Sequence, residues 1–284
     1  MVLPRSAPAA DATGHHYDEL DGFYRDVWGD HVHHGLFATG RESVAEATDA
    51  LAARVVDASG VRPGERAVDI GCGYGATAHL AAVRTGAHVL GLTLSEAQAA
   101  AARMRTVPEG VPAPTFLVQD WLDNGLPDAA FNAAWAIEST THMPDRPRVF
   151  TEAARVLRPG GRLVLCVWMT RENPGPAERR WLLEPICREG RLAGMGSASE
   201  NRAWLEGAGL VVEREEDWSR VVAKTWTVVA RRVARGIATD ARYRRFLRDA
   251  TQRERAFVLT ILRIRAAYAT GAMRYGFFVA RKPA

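Results

Sequence analysis

Cysteine and lysine are what this chain has least of. Its three cysteines, Cys72, Cys166 and Cys187, are scattered through 284 residues in apolar or loop surroundings. That spacing excludes a disulfide framework and a zinc set, and reads as reduced thiols in a cytoplasmic protein. Lys224 and Lys282 are the only lysines, so the net charge of +4 rests on arginine. No Lys/Arg run is long enough for a nucleic-acid tail, and arginines scattered along helices read as a solvated face. No nucleic-acid partner is expected. No apolar run approaches the roughly 18 residues that span a bilayer. The Ala/Pro-rich start, Met1 to Asp11, lacks the hydrophobic core of a signal peptide. Integral membrane contact and secretion are therefore not expected, and internal repeats are missing too.

What is present is an ordinary globular composition, 47% hydrophobic and 25% charged, with material for one large domain or a domain plus a cap. The organising stretch is Val68-Asp-Ile-Gly-Cys-Gly-Tyr-Gly-Ala-Thr77. A β-prone run, Arg66 to Ile70, enters a turn with glycine at 71, 73 and 75, and a helix-compatible run, Ala76 to Val83, follows. The glycines admit positive φ and close backbone approach, and the helix start presents unpaired N–H groups. The turn also satisfies the dinucleotide fingerprint G-x-G-x-x-A. Asp69 shifts the balance. A carboxylate there repels a pyrophosphate but suits a ligand with a positive amine, such as the methionine end of S-adenosylmethionine (SAM). A purely structural glycine turn is the remaining alternative.

Around this stretch the chain reads in order. Residues 1–13, with Pro4 and Pro8 among alanines, are expected to be disordered. Residues 14–60 form a helical arm. In it Tyr17, Leu20, Tyr24 and Trp28 recur at spacings of three and four, so one helix face is aromatic. The arm reads equally as a lid over the cofactor and as plain packing on the main domain. His31, His33 and His34 lack a carboxylate or cysteine at metal spacing, so no metal is expected. An amphipathic helix spans Glu42 to Ser59. Residues 61–284 then form the core domain. His88 to Leu94 is a second strand, and Ser95 caps the helix after it. That strand ends without the acid that takes a nicotinamide cofactor's ribose, which argues against an oxidoreductase.

Thr115 to Val118 is a third strand that leads to Gln119-Asp120-Trp121, an acid and an aromatic where open α/β sheets place ligands. Asp120 there suits an adenine amino group, and Trp121 suits the ring. Asp128 to Ile137 holds a fourth strand, Thr151 to Leu157 is helical, and Arg158-Pro-Gly-Gly161 turns into a fifth strand, Arg162 to Trp168. Leu210 to Glu213 and Gly271 to Arg281 are the last two strands, with a helical cap insert at about 219–269 between them. The fold class expected is α/β: a Rossmann-like, seven-stranded, mostly parallel sheet with right-handed crossovers, a helical arm and a cap.

Val-Asp-Ile-Gly-Cys-Gly-Tyr-Gly, Gly-Leu-Thr-Leu-Ser-Glu-Ala-Gln and Leu-Arg-Pro-Gly-Gly-Arg-Leu together resemble class I SAM-dependent methyltransferases. Further stretches are similar to the γ-tocopherol methyltransferase group, with kinship to sterol C-methyltransferases: Asp26-Val-Trp-Gly-Asp-His-Val-His-His-Gly35, Ile137-Glu-Ser-Thr-Thr-His-Met-Pro-Asp145, Asp217-Trp-Ser-Arg220 and Met273-Arg-Tyr-Gly-Phe-Phe-Val-Ala-Arg-Lys-Pro283. The resemblance covers roughly residues 16–282. It implies that Asp69, Gly71, Cys72, Gly73 and Gly75 cradle the methionine part of SAM. Thr93, Leu94 and Gln98 then lie near the ribose, Gln119, Asp120 and Trp121 near the adenine, and Ile137, Glu138 and His142 where the methyl group meets its acceptor. Related sugar O-methyltransferases carry paired histidines in that last loop. Thr141 before His142 departs from this, towards an apolar acceptor.

SAM is a strong methyl donor, so the expected task is positioning and the exclusion of water. Attack by an alkene or electron-rich ring carbon leaves a cation that needs a carboxylate or aromatic faces, then loses a proton. Glu138 is the first candidate for stabiliser or base and His142 the second. The competing readings are a carboxylate that caps the next turn or orders SAM, and a structural histidine. Tyr17, Tyr24, Trp28, Trp168, Trp218, Trp226 and Tyr268 are expected to enclose the acceptor, or else to be core. Arg231, Arg232, Arg244 and Arg245 would hold a diphosphate if the acceptor carried one, and otherwise stay exposed.

The expected activity is SAM-dependent methylation of carbon in a small hydrophobic natural product (prenylated, terpenoid or aromatic), with S-adenosylhomocysteine as coproduct. The alternatives are N- or O-methylation of an alkaloid or polyketide, and a SAM-binding cyclase or sensor that transfers no methyl group. A homo-oligomer is left open.

Overall fold

The computed structural model describes residues 1–4, 22, 26, 28, 29, 31–249 and 257–284. Helix α1, Val44–Ser59, starts at a reciprocal cap in which Ser43 and Glu46 satisfy each other's backbone N–H, and stops at Gly60 in the left-handed region. Then follow β1 (Arg66–Ile70), α2 (Ala76–Thr85), β2 (His88–Thr93), α3 (Glu96–Arg103), β3 (Thr115–Val118), β4 (Phe131–Ile137), α4 (Arg146–Val156) and β5 (Leu157–Thr170). The second half holds α5 (Glu184–Glu189), α6 (Ala198–Gly207), β6 (Val211–Asp217), α7 (Lys224–Thr239), α8 (Ala241–Arg248), α9 (Phe257–Thr270) and β7 (Met273–Arg281).

The strands form one sheet in the order β3-β2-β1-β4-β5-β7-β6. The first five are parallel, while β7 runs antiparallel to both β5 and β6. Period-two alternation sends successive side chains to opposite layers. Val164 and Cys166 of β5 join Leu51 and Val55 of α1 on one face. Leu163, Leu165 and Val167 meet Val149, Phe150 and Ala153 of α4 on the other. A third cluster lies under the cap, where Trp226, Val229 and Val233 of α7 and Ile261 and Ile264 of α9 pack on Trp28, Ile186 and Met273.

Three boundaries differ from the sequence expectation by about four residues or more. The Arg-Pro-Gly-Gly turn is a bulge inside β5: Phe131 pairs with Leu157 and Ala133 with Arg162, so residues 158–161 loop out of the ladder. Strand β6 runs on to Asp217. Its charged run is tolerated because it is the sheet edge, where Glu213 bridges Arg281 of β7 and Arg162 of β5 beyond it. Helix α4 begins earlier than expected, capped by Asp145 with proline in its first turn. Within the stretch expected to be disordered, Val2 pairs with Met195 and is buried. Residues 5–13 lie outside the described residues, as do Tyr17 and Tyr24 of the arm. Among the described residues no helix is long and apolar enough to cross a membrane.

Candidate active site

The strand order reverses between β1 and β4. Loops leaving those two strands diverge there and open a crevice at their C-terminal ends. Gly71 and Ser139, just past the two strands, cross so closely that a Cβ on residue 71 would stand 2.3 Å from the Ser139 Cβ. With φ at +76°, only glycine serves there. The Ser139 hydroxyl donates to the Ile70 carbonyl and locks the crossing.

A cavity of about 200 Å³ runs along this edge, and the glycine turn gives it Gly71 and Gly73. Asp69, Cys72 and Gly75 do not reach its wall. The Cys72 thiol points into the core, and burial, then Asp69, pushes its pKa well above the usual range. Asp69 is buried behind the turn, its pKa raised to about 7 by burial, with the Trp135 indole pulling weakly the other way. Neither Asp69 Oδ2 nor Trp135 Nε1 has a hydrogen-bond partner among the described residues. An orphaned buried carboxylate oxygen invites a cation.

Further along, Thr93, Leu94 and Gln98 line the cavity. Thr93 donates its hydroxyl to Gln98 Oε1 at 2.8 Å, so the two side chains brace each other. Leu94 is 42% exposed and leaves a bare apolar edge. Gln119, Asp120 and Trp121 form the far wall. The Asp120 carboxylate accepts from Leu122 N and opens a short turn, while the Trp121 indole donates to the Val149 carbonyl at 3.0 Å, which fixes its ring in the wall.

The opposite end is built around Glu138, one residue past β4 and at φ +61°. Left-handed backbone in a non-glycine residue is strained and is held only by strong surroundings. Here they are four donors to one carboxylate. His34 N and the Tyr275 hydroxyl donate to Oε1, both at 2.7 Å; Trp168 Nε1 donates to Oε2 at 2.6 Å; His34 Nδ1 lies 3.0 Å from both oxygens. Burial alone would push this carboxyl up, but the His34 ring and backbone outweigh it and hold it at about 2. Glu138 is thus an ionised carboxylate with every favourable direction occupied.

His142 also lines the cavity, and its Nδ1 lies 3.1 Å from the Arg191 carbonyl, which accepts from it. The loops on either side are stapled by Arg146. This guanidinium is buried and donates to the carbonyls of Thr140 and Gly194, the latter at 2.6 Å. Desolvation lowers its pKa to about 10.

Of the aromatics expected around the acceptor, Trp28, Trp168 and Trp226 line the cavity with Ile137 and Met143. Tyr268 stands one layer back, its hydroxyl 3.0 Å from His34 Nε2. Trp218 is a correction: it is not in the wall but stacks on Phe277 at 4.1 Å inside the core. The arginines considered for a diphosphate follow the alternative reading, which left them away from the site. None of Arg231, Arg232, Arg244 and Arg245 lines the cavity, and Arg244 donates to the Ile237 and Ala238 carbonyls.

His34 and Tyr275 were not singled out from sequence as site residues, although both fall in stretches that carry the family resemblance. Their burial beside Glu138 depends on strand pairing that brings β7 next to β5. No cluster of metal-ligating side chains occurs among the described residues.

The methyltransferase domain family matches residues 68–165. The chain is 34% identical to 27-O-demethylrifamycin SV methyltransferase of Amycolatopsis mediterranei, over 97% of this chain and 98% of that protein. It is 30% identical to the probable chloroplastic tocopherol O-methyltransferase of Oryza sativa subsp. japonica, over 94% of this chain and 76% of that one. Among solved structures, the [4+2]-cyclase SpnF superposes with a TM-score of 0.81 at 28% identity, covering 100% of this chain and 99% of that chain.

Proposed function

We propose that this chain, which belongs to the class I SAM-dependent methyltransferases of the tocopherol and sterol methyltransferase group, methylates a carbon atom of a small hydrophobic natural product held against Glu138. SAM supplies an electrophilic methyl group on a cationic sulfur. The residues present fit it. Gly71 and Gly73 would take the methionine end, and Asp69, buried behind them with one carboxylate oxygen unpartnered among the described residues, would attract its positive amine. Thr93, Leu94 and Gln98 would take the ribose, and Gln119, Asp120 and Trp121 the adenine.

The observation that carries the carbon reading is the largely buried Glu138, its carboxyl held at about 2, among Trp168, Trp226 and Trp28 at the cavity wall. Attack by a carbon nucleophile transfers positive charge from sulfur to the acceptor. A fixed anion and aromatic faces stabilise that charge as it forms. Of the two roles expected of Glu138, this favours stabiliser over base, because a carboxylate near 2 with four donors is a weak proton acceptor. His142 remains the candidate for proton removal. Trp28 and the cap aromatics keep water from the acceptor.

The test is incubation with methyl-labelled SAM and prenylated quinols, indoles and terpenoids, with the label located by NMR. Glu138→Gln should lower kcat by roughly a hundredfold, the scale of losing one strong electrostatic contact in an active site. SAM affinity should be unchanged. Label found only on oxygen or nitrogen sinks the carbon reading.

A second reading, transfer to a hydroxyl oxygen, is favoured by the names of two relatives, a 27-O-demethylrifamycin SV methyltransferase and a probable tocopherol O-methyltransferase. An oxygen acceptor needs no cation stabiliser, so Glu138→Gln should then be nearly silent. The likeness to a [4+2]-cyclase adds a non-methylating reading, which the absence of S-adenosylhomocysteine in the same incubations would reveal.

A further inference from the structure

We propose that the outer face of the helical cap docks on an anionic phospholipid bilayer, held at its surface by arginines and a few bare apolar side chains. The proposal goes beyond the methyl-transfer reading and does not depend on it.

Charge is spread unevenly along the chain. Residues 224–270, which hold α7, α8 and α9, carry one lysine and eleven arginines against three acids, Asp240, Asp249 and Glu254. Their formal net charge is +9 while the whole chain carries only +4, so everything outside the cap is acidic on balance. The fold turns this excess outward. Helix α7 buries Trp226, Val229 and Val233 and leaves Arg231, Arg232 and Arg235 exposed. The chain then folds back at Asp240, and the Tyr243 ring lies so near Gly236 that a Cβ there would stand 2.9 Å from it. Helix α8 buries no residue. Its Phe246 leans on the cap's core cluster, and Arg242, Arg245 and Arg248 stay exposed. Arg242 is paired with Asp26 and Asp240. Arg231, Arg235, Arg245 and Arg248 have no ion pair among the described residues. Like charges left open on adjacent helices repel one another, and an anionic partner relieves that.

The apolar residues select the kind of partner. Helices α7 and α9 pack together on the same core cluster, so their outer faces look away from it. On α9, Leu259 and Leu262 are 56% and 57% exposed and Arg265 is exposed beside them, while Thr260, Ile261 and Ile264 are buried. The helical stretch Arg179–Leu183 packs on α9 and holds Trp181 64% exposed, with the Arg180 guanidinium 4.9 Å over its ring. An acidic protein or a nucleic acid would answer the arginines alone. The headgroup layer of a bilayer takes cations and large apolar side chains together. Among the described residues no helix is long and apolar enough to cross a membrane, so the attachment is peripheral. Trp226, in the first turn of α7, lines the cavity, and the exposed arginines follow on the same helix. A bilayer against the cap therefore lies a helix's breadth from the aromatic end of the cavity.

The experiment is flotation of the full chain with phosphatidylcholine vesicles, with and without phosphatidylglycerol. The chain should float with the anionic vesicles and not with the neutral ones, and binding should weaken as salt shortens the Debye length. Each arginine near an anionic surface is worth about fivefold in affinity. Arg235→Gln, Arg245→Gln and Arg248→Gln combined should therefore weaken binding by about a hundredfold, with the melting point unchanged. Lysine at the same three positions should restore most of it. Leu259→Ser with Leu262→Ser should remove the part of the binding that survives high salt. A wild-type chain that ignores anionic vesicles, or floats equally with neutral ones, overturns the proposal, as does full binding after the triple neutralisation. Capture on heparin without vesicle binding would mark a general affinity for polyanions and overturns it too. Flotation needs neither SAM nor acceptor, so its failure leaves the methyl-transfer reading standing, and vesicle binding without methyl transfer counts against that reading alone.

Discussion

SAM binding should release a proton from Asp69. The carboxyl is buried, one of its oxygens has no partner among the described residues, and its pKa is raised to about 7. Without ligand it is therefore about half protonated at pH 7 and about nine-tenths protonated at pH 6. A cationic amine on the glycine turn favours the ionised form. Binding should then expel about half a proton per site at pH 7 and close to one at pH 6, so affinity rises with pH across that range. Titration calorimetry in two buffers of different ionisation enthalpy reads this directly, and Asp69→Asn should abolish it while weakening SAM. Stability carries the opposite sign. The folded pKa lies above the unfolded value of about 3.9, so the native state binds more protons between about pH 4 and pH 7. The ligand-free protein should lose stability as pH rises through that window, by up to about 4 kcal/mol. Asp69→Asn escapes that loss and should melt higher than the wild type at about pH 8. No proton release at pH 6, or full SAM affinity in Asp69→Asn, would refute the reasoning.

Two further outcomes follow from packing. Arg146→Met strands the buried carbonyls of Thr140 and Gly194; at about 1–3 kcal/mol per unsatisfied group, a melting point lower by several degrees should be seen by calorimetry, with Arg146→Lys recovering part of it. Gly71→Ala sets a methyl 2.3 Å from the Ser139 Cβ at a φ of +76°, so isothermal titration should show SAM affinity lost by tenfold or more.

The parallel half of the sheet was readable because its signals are local. A buried strand, a glycine turn and a helix start each leave a mark within ten residues, and the first strand, Arg66–Ile70, falls where its apolar run places it. Strand β6 was read short because Glu213, Arg214, Glu215 and Glu216 look like a loop until the edge position and the flanking arginines are known. Trp218 was misplaced for a related reason: an aromatic beside a ligand-bearing strand end carries no sign of which layer it enters, and Phe277, its stacking partner, is 59 residues away. The donors around Glu138 were the least legible part. His34 lies 104 residues before it and Tyr275 137 after, and neither spacing has a periodicity to betray it.

Two acids therefore stand at the ends of adjacent strands, each almost sealed from water, and the fold sends them in opposite directions. Asp69 pairs across the sheet with Trp135, and its Oδ2 has no hydrogen-bond partner among the described residues, so burial raises it to about 7. Glu138 leaves the neighbouring strand in a left-handed conformation that turns its carboxylate into four donors, and it falls to about 2 despite the same burial. Burial is common to both; the His34 ring and the donors beside Glu138 decide the sign. An acid without donors is poised to give up a proton when a cation arrives, which suits a binding site. An acid held low by the His34 ring and the donors around it keeps its charge through a reaction, which suits stabilising a cation that exists only briefly. If the cofactor's charge lies at the first and the acceptor's develops at the second, methyl transfer moves positive charge along the cavity toward an anion already in place.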